Sequence, residues 1–284
     1  MINSFLTYKI KNKKDQDLSL EDIQKAEKVL FSLFTRYGDT IIDLVVIKEF
    51  VEKYPTKDYL ILCPKQMKPY SDEFLPKIKC IGINKRNYLD MIKLNFYLKK
   101  WSPDIGFNPW SFGVESSFFL SYCKIFQFYR NFNKPQSVNH YDVVRKYFRL
   151  PKKIWKIKNQ IMDLEFKKVL ICPESTDNER SISIDQIAKI IDDFKLNIDD
   201  SILTIASINS KYHHSNCNNF YFKKTEKSSR NFIILVQESD LIISADSAPL
   251  HVAHALNKNV MAVFNSTSPE LVINSGSKVT FYTQ

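Results

Sequence analysis

Apolar positions along this chain follow two recurring patterns: short unbroken runs and stripes with helical spacing. Residues 29–34 form a run, residues 41–54 carry a stripe, and residues 58–63 form the next run. A short unbroken run is typical of a strand buried on both faces, and the run–stripe–run order predicts a β-α-β unit with a parallel sheet. Gly38 lies between the first run and the stripe, where we expect a turn in which it takes a positive φ.

The same patterns continue in the first half. Residues 19–22 resemble a capping box that opens a short helix. Strands are expected at 79–83 and 104–107, with a helix at 87–100 between them.

The middle of the chain changes character. Residues 114–128 are rich in Phe and Tyr and predict a core helix, or alternatively an exposed apolar ledge that meets a lipid-linked partner. Pro135 and Pro151 bracket a polar helix, and lysines interleaved with apolar residues follow at 152–158. This stretch indicates a hinge between two domains.

The strand–helix pattern then restarts. Five strands are expected, at 168–172, 202–206, 241–244, 260–264 and 279–282, with helices at 183–194, 232–236 and after 248. The simplest fold is α/β, with two successive Rossmann-like units and a cleft between them. We predict an N-terminal extension at 1–28, an N-terminal acceptor-side domain at 29–155 and a shortened C-terminal donor-binding domain at 156–284.

Composition narrows the classes of function. The 284 residues are 44% apolar and 25% charged, and the formal net charge is +10. The positive charge fits phosphorylated small molecules or an anionic membrane surface better than nucleic acid, because the lysines follow no nucleic-acid-binding motif. No apolar run reaches the length of a membrane span, and no signal peptide is visible, so we expect a cytoplasmic protein. The five cysteines lack C-x-x-C spacing, which indicates reduced thiols and no zinc site.

One stretch concentrates the candidate chemistry. Residues 241–244 predict a buried strand, Asp246 and Ser247 are suited to cap a helix, and Pro249 fits its first turn. The carboxyl end of a strand and the N-terminus of the next helix form a common phosphate-binding arrangement. Neither G-x-G-x-x-G nor a P-loop is present, so any phosphate site must use helix ends and side chains.

These residues resemble the signature of glycosyltransferase family 9, the heptosyltransferase-like enzymes. In that family a strand leads into Asp-Ser/Thr-Gly-x-x-His-x-Ala-x-Ala, and a second strand ends in Gly-x-Thr-x-Pro. The matching positions are Asp246, Ser247, His251, Ala253, Ala255, Thr267 and Pro269, together with an N-terminal Gly38-Asp39 pair. Ala248 and Asn265 stand where the family has glycine.

The resemblance implies a GT-B-like fold with two Rossmann-like domains facing a central cleft. It implies that Asp39 is the catalytic base of an inverting transfer, supported by Gly38; the alternative for Asp39 is a helix cap. The implied donor-binding residues are Ser175, Thr176, Arg180, Asp246, Ser247, Ala248, His251 and Thr267. For Arg180, pairing with acidic neighbours is the alternative. At Ala248 the turn either uses a negative φ or binds the donor differently.

The implied reaction moves a sugar from a nucleotide-diphosphate donor, ADP-heptose being the family's commonest, to a bacterial surface glycan or glycolipid. We expect no metal and no cofactor, peripheral contact with the inner membrane, and no nucleic acid. A homodimer stays open, as does a catalytically weak, sugar-nucleotide-binding or assembly subunit, which the missing glycines and the shortened C-terminus favour.

Overall fold

The structure, a computed structural model, describes residues 15–84, 87–110, 114–128, 138–154, 166–193, 202–207, 220–224 and 228–283. The chain divides into two compact units, one formed by residues up to 134 with 143–151 and the other by 135–142 with 152 onward. Each unit is built around its own parallel sheet. Residues 1–14 of the predicted extension, and the predicted domain boundary at 155 and 156, lie outside the described residues.

The first unit alternates strands and helices. Its elements are α1 (Leu20–Lys25), β1 (Lys28–Ser32), α2 (Tyr37–Lys53), β2 (Asp58–Pro64), a 3₁₀ turn (Lys65–Met67) leading into α3 (Lys68–Phe74), β3 (Lys79–Ile83), α4 (Tyr88–Trp101), β4 (Ile105–Asn108), α5 (Val114–Leu120) and β5 (Ile125–Phe128). The strands pair in the order β3-β2-β1-β4-β5, and every pair is parallel. The strand order reverses between β1 and β4, which is the position where open α/β sheets bind ligands.

The start of α2 differs from the predicted turn. Arg36 is the N-cap, with an extended backbone, and both the amide and the hydroxyl of Thr40 donate to its carbonyl. Gly38 and Asp39 therefore lie inside the first helical turn. The predictions of a positive φ at Gly38 and of a possible capping role for Asp39 are both wrong, because the helix begins four residues earlier than its apolar stripe.

The predicted core helix at 114–128 is correct only in its first half. The helix ends at Leu120, and residues 125–128 form β5, which pairs with β4. Its Phe and Tyr side chains are largely buried, with Phe119 and Phe126 in one apolar cluster. Aromatic content indicates burial but does not distinguish a helix from a strand, so the switch between them was not predicted.

The second unit repeats the alternation. After α6 (His140–Tyr147), which begins in this unit, come β6 (Lys168–Cys172), a 3₁₀ turn (Asn178–Arg180), α7 (Ile184–Asp193), β7 (Ile202–Ser207), β8 (Phe220–Lys224), α8 (Ser229–Glu238), β9 (Leu241–Ala245), α9 (Ala248–Ala255), β10 (Asn259–Phe264), α10 (Pro269–Val272) and β11 (Val279–Thr283). The strands pair in the order β11-β10-β9-β6-β7-β8. Every pair is again parallel.

The centre of this second sheet is apolar and positions the loops that follow its strands. β9 is buried throughout, and one face of the sheet packs against α7 through Ile187 and Ile190. The strand order reverses between β6 and β9, which are direct neighbours. The fold class is thus confirmed as α/β with two Rossmann-like domains; the cleft between them stays a prediction. No helix among the described residues has the length and apolar character to cross a bilayer.

Candidate functional site

Polar side chains gather where the central strands of the second sheet end. β6 is followed by Ser175 and Arg180, and its neighbour β9 is followed by Asp246 and Ser247. The carboxyl ends of parallel strands share one edge of the sheet, so these loops meet at the point where the strand order reverses. Sequence reasoning assigned these residues to one site, and the structure brings three of them into contact.

Ser175 and Asp246 connect the two loops directly. The Ser175 hydroxyl donates to the backbone oxygen of Asp246 at 3.3 Å. The Ser175 amide in turn donates to the Ser181 hydroxyl at 3.0 Å, which holds the loop after β6 in a tight arc. The loops after β6 and β9 are therefore joined by a side-chain hydrogen bond, in addition to the backbone pairing of the two strands.

Arg180 is paired with acidic side chains inside this site. Its Nη1 donates to Asp246 Oδ2 at 3.2 Å, and its Nε lies 3.5 Å from Asp177 Oδ2. Asp246 is buried, whereas the side chain of Arg180 is 29% exposed to solvent. The alternative of acidic pairing for Arg180 is thus observed, although with Asp246 as well as with Asp177. The guanidinium has five N–H donors, so these two partners leave donors over for a ligand.

The N-terminus of α9 begins directly after Asp246. Ser247 is its N-cap, but the Ser247 side chain makes no cap hydrogen bond, and its hydroxyl donates weakly to the Ala245 carbonyl at 3.5 Å. Side-chain capping by Asp246 or Ser247, which the sequence suggested, is therefore not observed. The positive end of the helix dipole lies directly after β9, where an anion is stabilised; among its first amides, Pro249 has no N–H and the Leu250 amide donates to the Ser247 carbonyl.

Ala248 is the first residue of α9 and so has a helical, negative φ. The residues other than glycine with positive φ in the described part of the chain are Ser102, Arg149 and Asn257. Of the two alternatives for Ala248, the negative φ is the one observed. Replacing the family's glycine by alanine therefore introduces no backbone strain at this turn.

His251 lies one turn into α9, and only 5% of its surface is exposed. Its Nδ1 lies 3.0 Å from the hydroxyl of Tyr141, and the two rings meet edge to face at a centroid distance of 5.8 Å. Tyr141 is the second residue of α6 and is fully buried. The Tyr141 hydroxyl therefore fixes the orientation of the His251 ring.

Tyr141 is itself anchored by a residue that sequence reasoning missed. Asn139 accepts from the Tyr141 amide, and its Nδ2 donates to the carbonyls of Glu270 and Ile273 at 2.7 and 2.8 Å. These bonds fix the start of α6 against α10. An Asn two positions before a helical Tyr is a plausible cap, but its distant partners are not visible in the sequence.

Asn265 lies in the loop after β10, at the position of the second family glycine, and its side chain makes two hydrogen bonds to other segments. Its Nδ2 donates to the Ser181 carbonyl, and its Oδ1 accepts from Gln186, both at 3.0 Å. The loop after β10 is thus fastened to the segment that follows β6. Thr267, further along the same loop, is partly buried, and Thr176 is exposed, so neither joins the hydrogen-bonded centre of the site.

The second histidine of α9, His254, is buried and packs beside His251 at a centroid distance of 6.3 Å. Neither of its ring nitrogens has a hydrogen-bond partner within the described ranges. Burial, together with the neighbouring His251, lowers the pKa of His254 to about 3. His254 is therefore neutral at physiological pH and acts as a packing residue.

Asp39 belongs to the first unit and lies half-buried in the first turn of α2. This helix follows β1, and the strand order of the first sheet reverses between β1 and its neighbour β4. A carboxylate in a first turn is also stabilised by the helix dipole, so its position by itself does not identify a base. Across the described part of the chain, no group of three His, Cys, Asp or Glu side chains is arranged to hold a metal ion.

Comparison with known proteins shows what this chain is similar to. Residues 228–282, which include β9, α9 and β10, match the family model described as glycosyltransferase family 9 (heptosyltransferase). A comparison with curated protein sequences finds no match.

Solved structures match nearly the whole chain at low identity. E. coli heptosyltransferase WaaC with ADP gives a TM-score of 0.67 at 10% identity, over 90% of this chain and 92% of that one. A glycosyltransferase family 9 protein of Veillonella parvula gives 0.66 at 12% identity, over 95% and 88%. E. coli ADP-heptose LPS heptosyltransferase II gives 0.58 at 15% identity, over 90% of each chain.

At these identities the structural matches establish the fold, whereas the family model carries the sequence signature of the site. The two findings agree on the same group of proteins. The chain is therefore similar to glycosyltransferase family 9 over residues 228–282 and has the fold of the heptosyltransferase structures, which agrees with the resemblance that its residues predict.

Proposed function

We propose that this protein is an inverting glycosyltransferase that moves a sugar from a nucleotide-diphosphate donor to a hydroxyl group of a bacterial surface glycan or glycolipid. The observation that carries the proposal is the contact of Ser175 and Arg180 with Asp246, at the reversal of strand order and beside the N-terminus of α9. Hydroxyl, guanidinium and helix N-terminus together suit a diphosphate.

In the proposed reaction the acceptor oxygen attacks the anomeric carbon of the donor sugar. Asp39 takes the proton of that hydroxyl as the new C–O bond forms. The bond between the anomeric carbon and the diphosphate oxygen breaks, and its electron pair leaves with the nucleoside diphosphate. Arg180 and the positive end of the α9 dipole stabilise the charge that develops on the leaving group, and we propose that the step requires no metal ion.

The remaining contacts are assigned by their chemistry. Ser175, Thr176, Ser247 and Thr267 offer hydroxyl groups to the phosphates or the sugar. His251, whose Nδ1 contacts the Tyr141 hydroxyl, meets the donor through its imidazole ring. ADP-heptose as donor and a lipopolysaccharide core as acceptor are the pair we propose first. Such an acceptor lies at the cytoplasmic face of the inner membrane, so we propose peripheral contact with that membrane.

Donor binding and transfer test the proposal separately. Isothermal titration calorimetry with a panel of nucleotide sugars measures binding, and release of the nucleoside diphosphate in the presence of a glycolipid acceptor measures transfer. We expect Asp39→Asn to bind the donor within about twofold of the wild type and to lose at least a hundredfold in transfer rate. Glu52→Gln, on the exposed side of the same helix, is the matched control. Transfer at the wild-type rate by the folded Asp39→Asn variant would refute the base assignment.

A non-catalytic role is the second candidate, favoured by one observation. The charge of Arg180 is already compensated by Asp246 and Asp177, which weakens its attraction for a diphosphate. A sugar-nucleotide-binding or assembly subunit would bind a donor without transferring the sugar to any acceptor. Binding by the wild type with no transfer across a broad set of acceptors would support that role instead.

A further inference from the structure

The outward face of α4 presents large apolar side chains to solvent. Leu89 and Phe96 are 66% and 65% exposed. They lie seven positions apart, which places them on one stripe of the helix. Leu94 and Leu98 occupy the opposite side and are buried in the core of the first unit. The exposed pair is therefore not needed to hold the helix on its sheet.

Basic side chains share this outward face. Lys93, Lys99 and Lys100 are all exposed and fall between or beside the two apolar residues at helical spacing. The ammonium of Lys99 lies 6.0 Å from the centre of the Phe96 ring. We call Leu89, Lys93, Phe96, Lys99 and Lys100 together the α4 outer face.

The flank of this face adds a further positive charge. The Lys79 ammonium, at the start of β3, lies 4.1 Å from the centre of the Tyr97 ring and donates to the Tyr97 hydroxyl at 3.0 Å. Asp90 is the single acidic residue in the sequence of α4. The helix with Lys79 therefore carries four positive charges against one negative charge.

We infer that the α4 outer face binds the surface of an anionic lipid membrane. Large apolar side chains interleaved with lysines are what an interfacial helix presents to a bilayer, since the apolar groups enter the headgroup boundary and the ammonium groups meet the phosphates. The positive charge of the α4 outer face complements the negative charge of anionic lipids, whereas a neutral protein partner would gain nothing from the lysines. The inference rests on the proposed function, which puts the acceptor in the membrane, and it names the residues that make the contact.

Vesicle flotation of the full-length protein tests the inference without any transfer assay. The probes are vesicles of phosphatidylcholine alone and vesicles containing one third phosphatidylglycerol. We expect flotation with the anionic vesicles only, and less of it at higher salt, since screening shortens the reach of the lysines. Lys93→Gln/Lys99→Gln/Lys100→Gln should weaken partitioning roughly a hundredfold, from about a fivefold loss for each lysine. Leu89→Ser/Phe96→Ser should weaken it by at least about tenfold.

Control variants remove the same charge, and one exposed apolar side chain, elsewhere on the protein. Lys48→Gln/Lys53→Gln/Lys189→Gln changes three exposed lysines, and Ile154→Ser changes an exposed isoleucine. Both should float like the wild type. Circular dichroism of every variant confirms that the fold is kept.

The contrary outcomes are specific. Equal flotation with neutral and anionic vesicles, no flotation of the wild type, or wild-type flotation of both surface variants would overturn the inference. Loss of a dimer by the surface variants in light scattering, with no vesicle binding by the wild type, would assign the face to a second copy of the chain. Donor binding and sugar transfer are measured separately, so failure of the proposed function leaves the vesicle result interpretable.

Discussion

The hydroxyl of Ser175 lies 3.3 Å from the backbone oxygen of Asp246, a residue 71 positions further along the chain. The contact spans β6 and β9, the two neighbouring strands at which the order of the second sheet reverses. It brings the loop that carries Arg180 over the N-terminus of α9. The hydroxyl group of Ser175, the guanidinium of Arg180 and the N-terminus of α9 therefore lie close together.

Arg180→Gln tests whether that convergence binds phosphate. The substitution removes the guanidinium but keeps an amide of similar length. A hydrogen bond to a charged group contributes about 1.5–3 kcal/mol, so we expect affinity for a nucleoside diphosphate to fall by about tenfold to a hundredfold. Isothermal titration calorimetry measures the affinity.

Arg230→Gln is the control for this change, because Arg230 is exposed on α8 and lies outside the site. It should bind the nucleoside diphosphate as the wild type does. An unchanged affinity of Arg180→Gln for the nucleoside diphosphate would mean that Asp246 and Asp177 neutralise the guanidinium and that Arg180 does not bind the phosphates.

Tyr141→Phe tests the role of the buried hydroxyl beside His251. The change leaves Nδ1 of His251 without its Tyr141 bond while keeping the packing of the two rings. Losing the partner of a buried polar group costs about 1–3 kcal/mol, so the free energy of unfolding should fall by that amount. The affinity for the donor should fall with it, since the imidazole loses the hydrogen bond that fixes the orientation of its ring.

Urea unfolding and donor titration provide the two measurements. Tyr37→Phe, at an exposed tyrosine of the first unit, is the control and should change neither. Loss of stability with unchanged donor affinity would make Tyr141 a purely structural residue.

Much of the order of strands and helices was predictable from the sequence, because apolar runs and stripes reflect burial and the period of the element, whereas α3, β5 and β8 were not predicted. The strands at 79–83 and 168–172, for example, are those observed. The residues that converge after β6 and β9 were also predictable, since parallel strands share an edge.

Partners between distant segments were not predictable. Asn265 fastens its loop to Ser181 and Gln186, and Asn139 fastens α6 to α10. Each is one polar residue whose partner depends on how loops pack, and nothing in local spacing specifies that partner. The start of α2 was misplaced for a related reason: its N-cap is Arg36, whose side chain gives no capping signal.

Gly38→Ala tests that corrected helix start. Gly38 lies inside the first turn of α2, where a helical φ suits alanine and glycine only adds freedom to the unfolded chain. We expect the free energy of unfolding to rise by about 0.5–1 kcal/mol. A turn with positive φ would instead make the substitution destabilising.

Gly106→Ala is the matched contrast in the same unit. A Cβ at Gly106 in β4 would lie 2.5 Å from both Cys123 Sγ and Leu120 Cδ2. Such overpacking costs about 1–3 kcal/mol, so this variant should be less stable than the wild type. Urea unfolding of both variants distinguishes a free helical glycine from one required by close packing.

His254 predicts a dependence of stability on pH. Burial holds the pKa of His254 in the folded protein at about 3, below its ordinary value of 6.5. Above pH 6.5 the residue is neutral in both states and contributes no slope. As the pH falls from 6.5 toward 3, the unfolded chain takes up a proton that the folded protein does not, so the free energy of unfolding decreases by up to about 1.4 kcal/mol per pH unit.

His254→Leu removes this titration and keeps an apolar side chain in the same place. We expect its unfolding free energy to fall less steeply than that of the wild type between pH 6.5 and 4, so that the difference between the two proteins grows as the pH falls. Urea unfolding at half-unit intervals of pH measures the slopes. Parallel slopes for the two proteins would show that His254 takes up its proton equally in the folded and unfolded states, and would contradict its burial as a neutral ring.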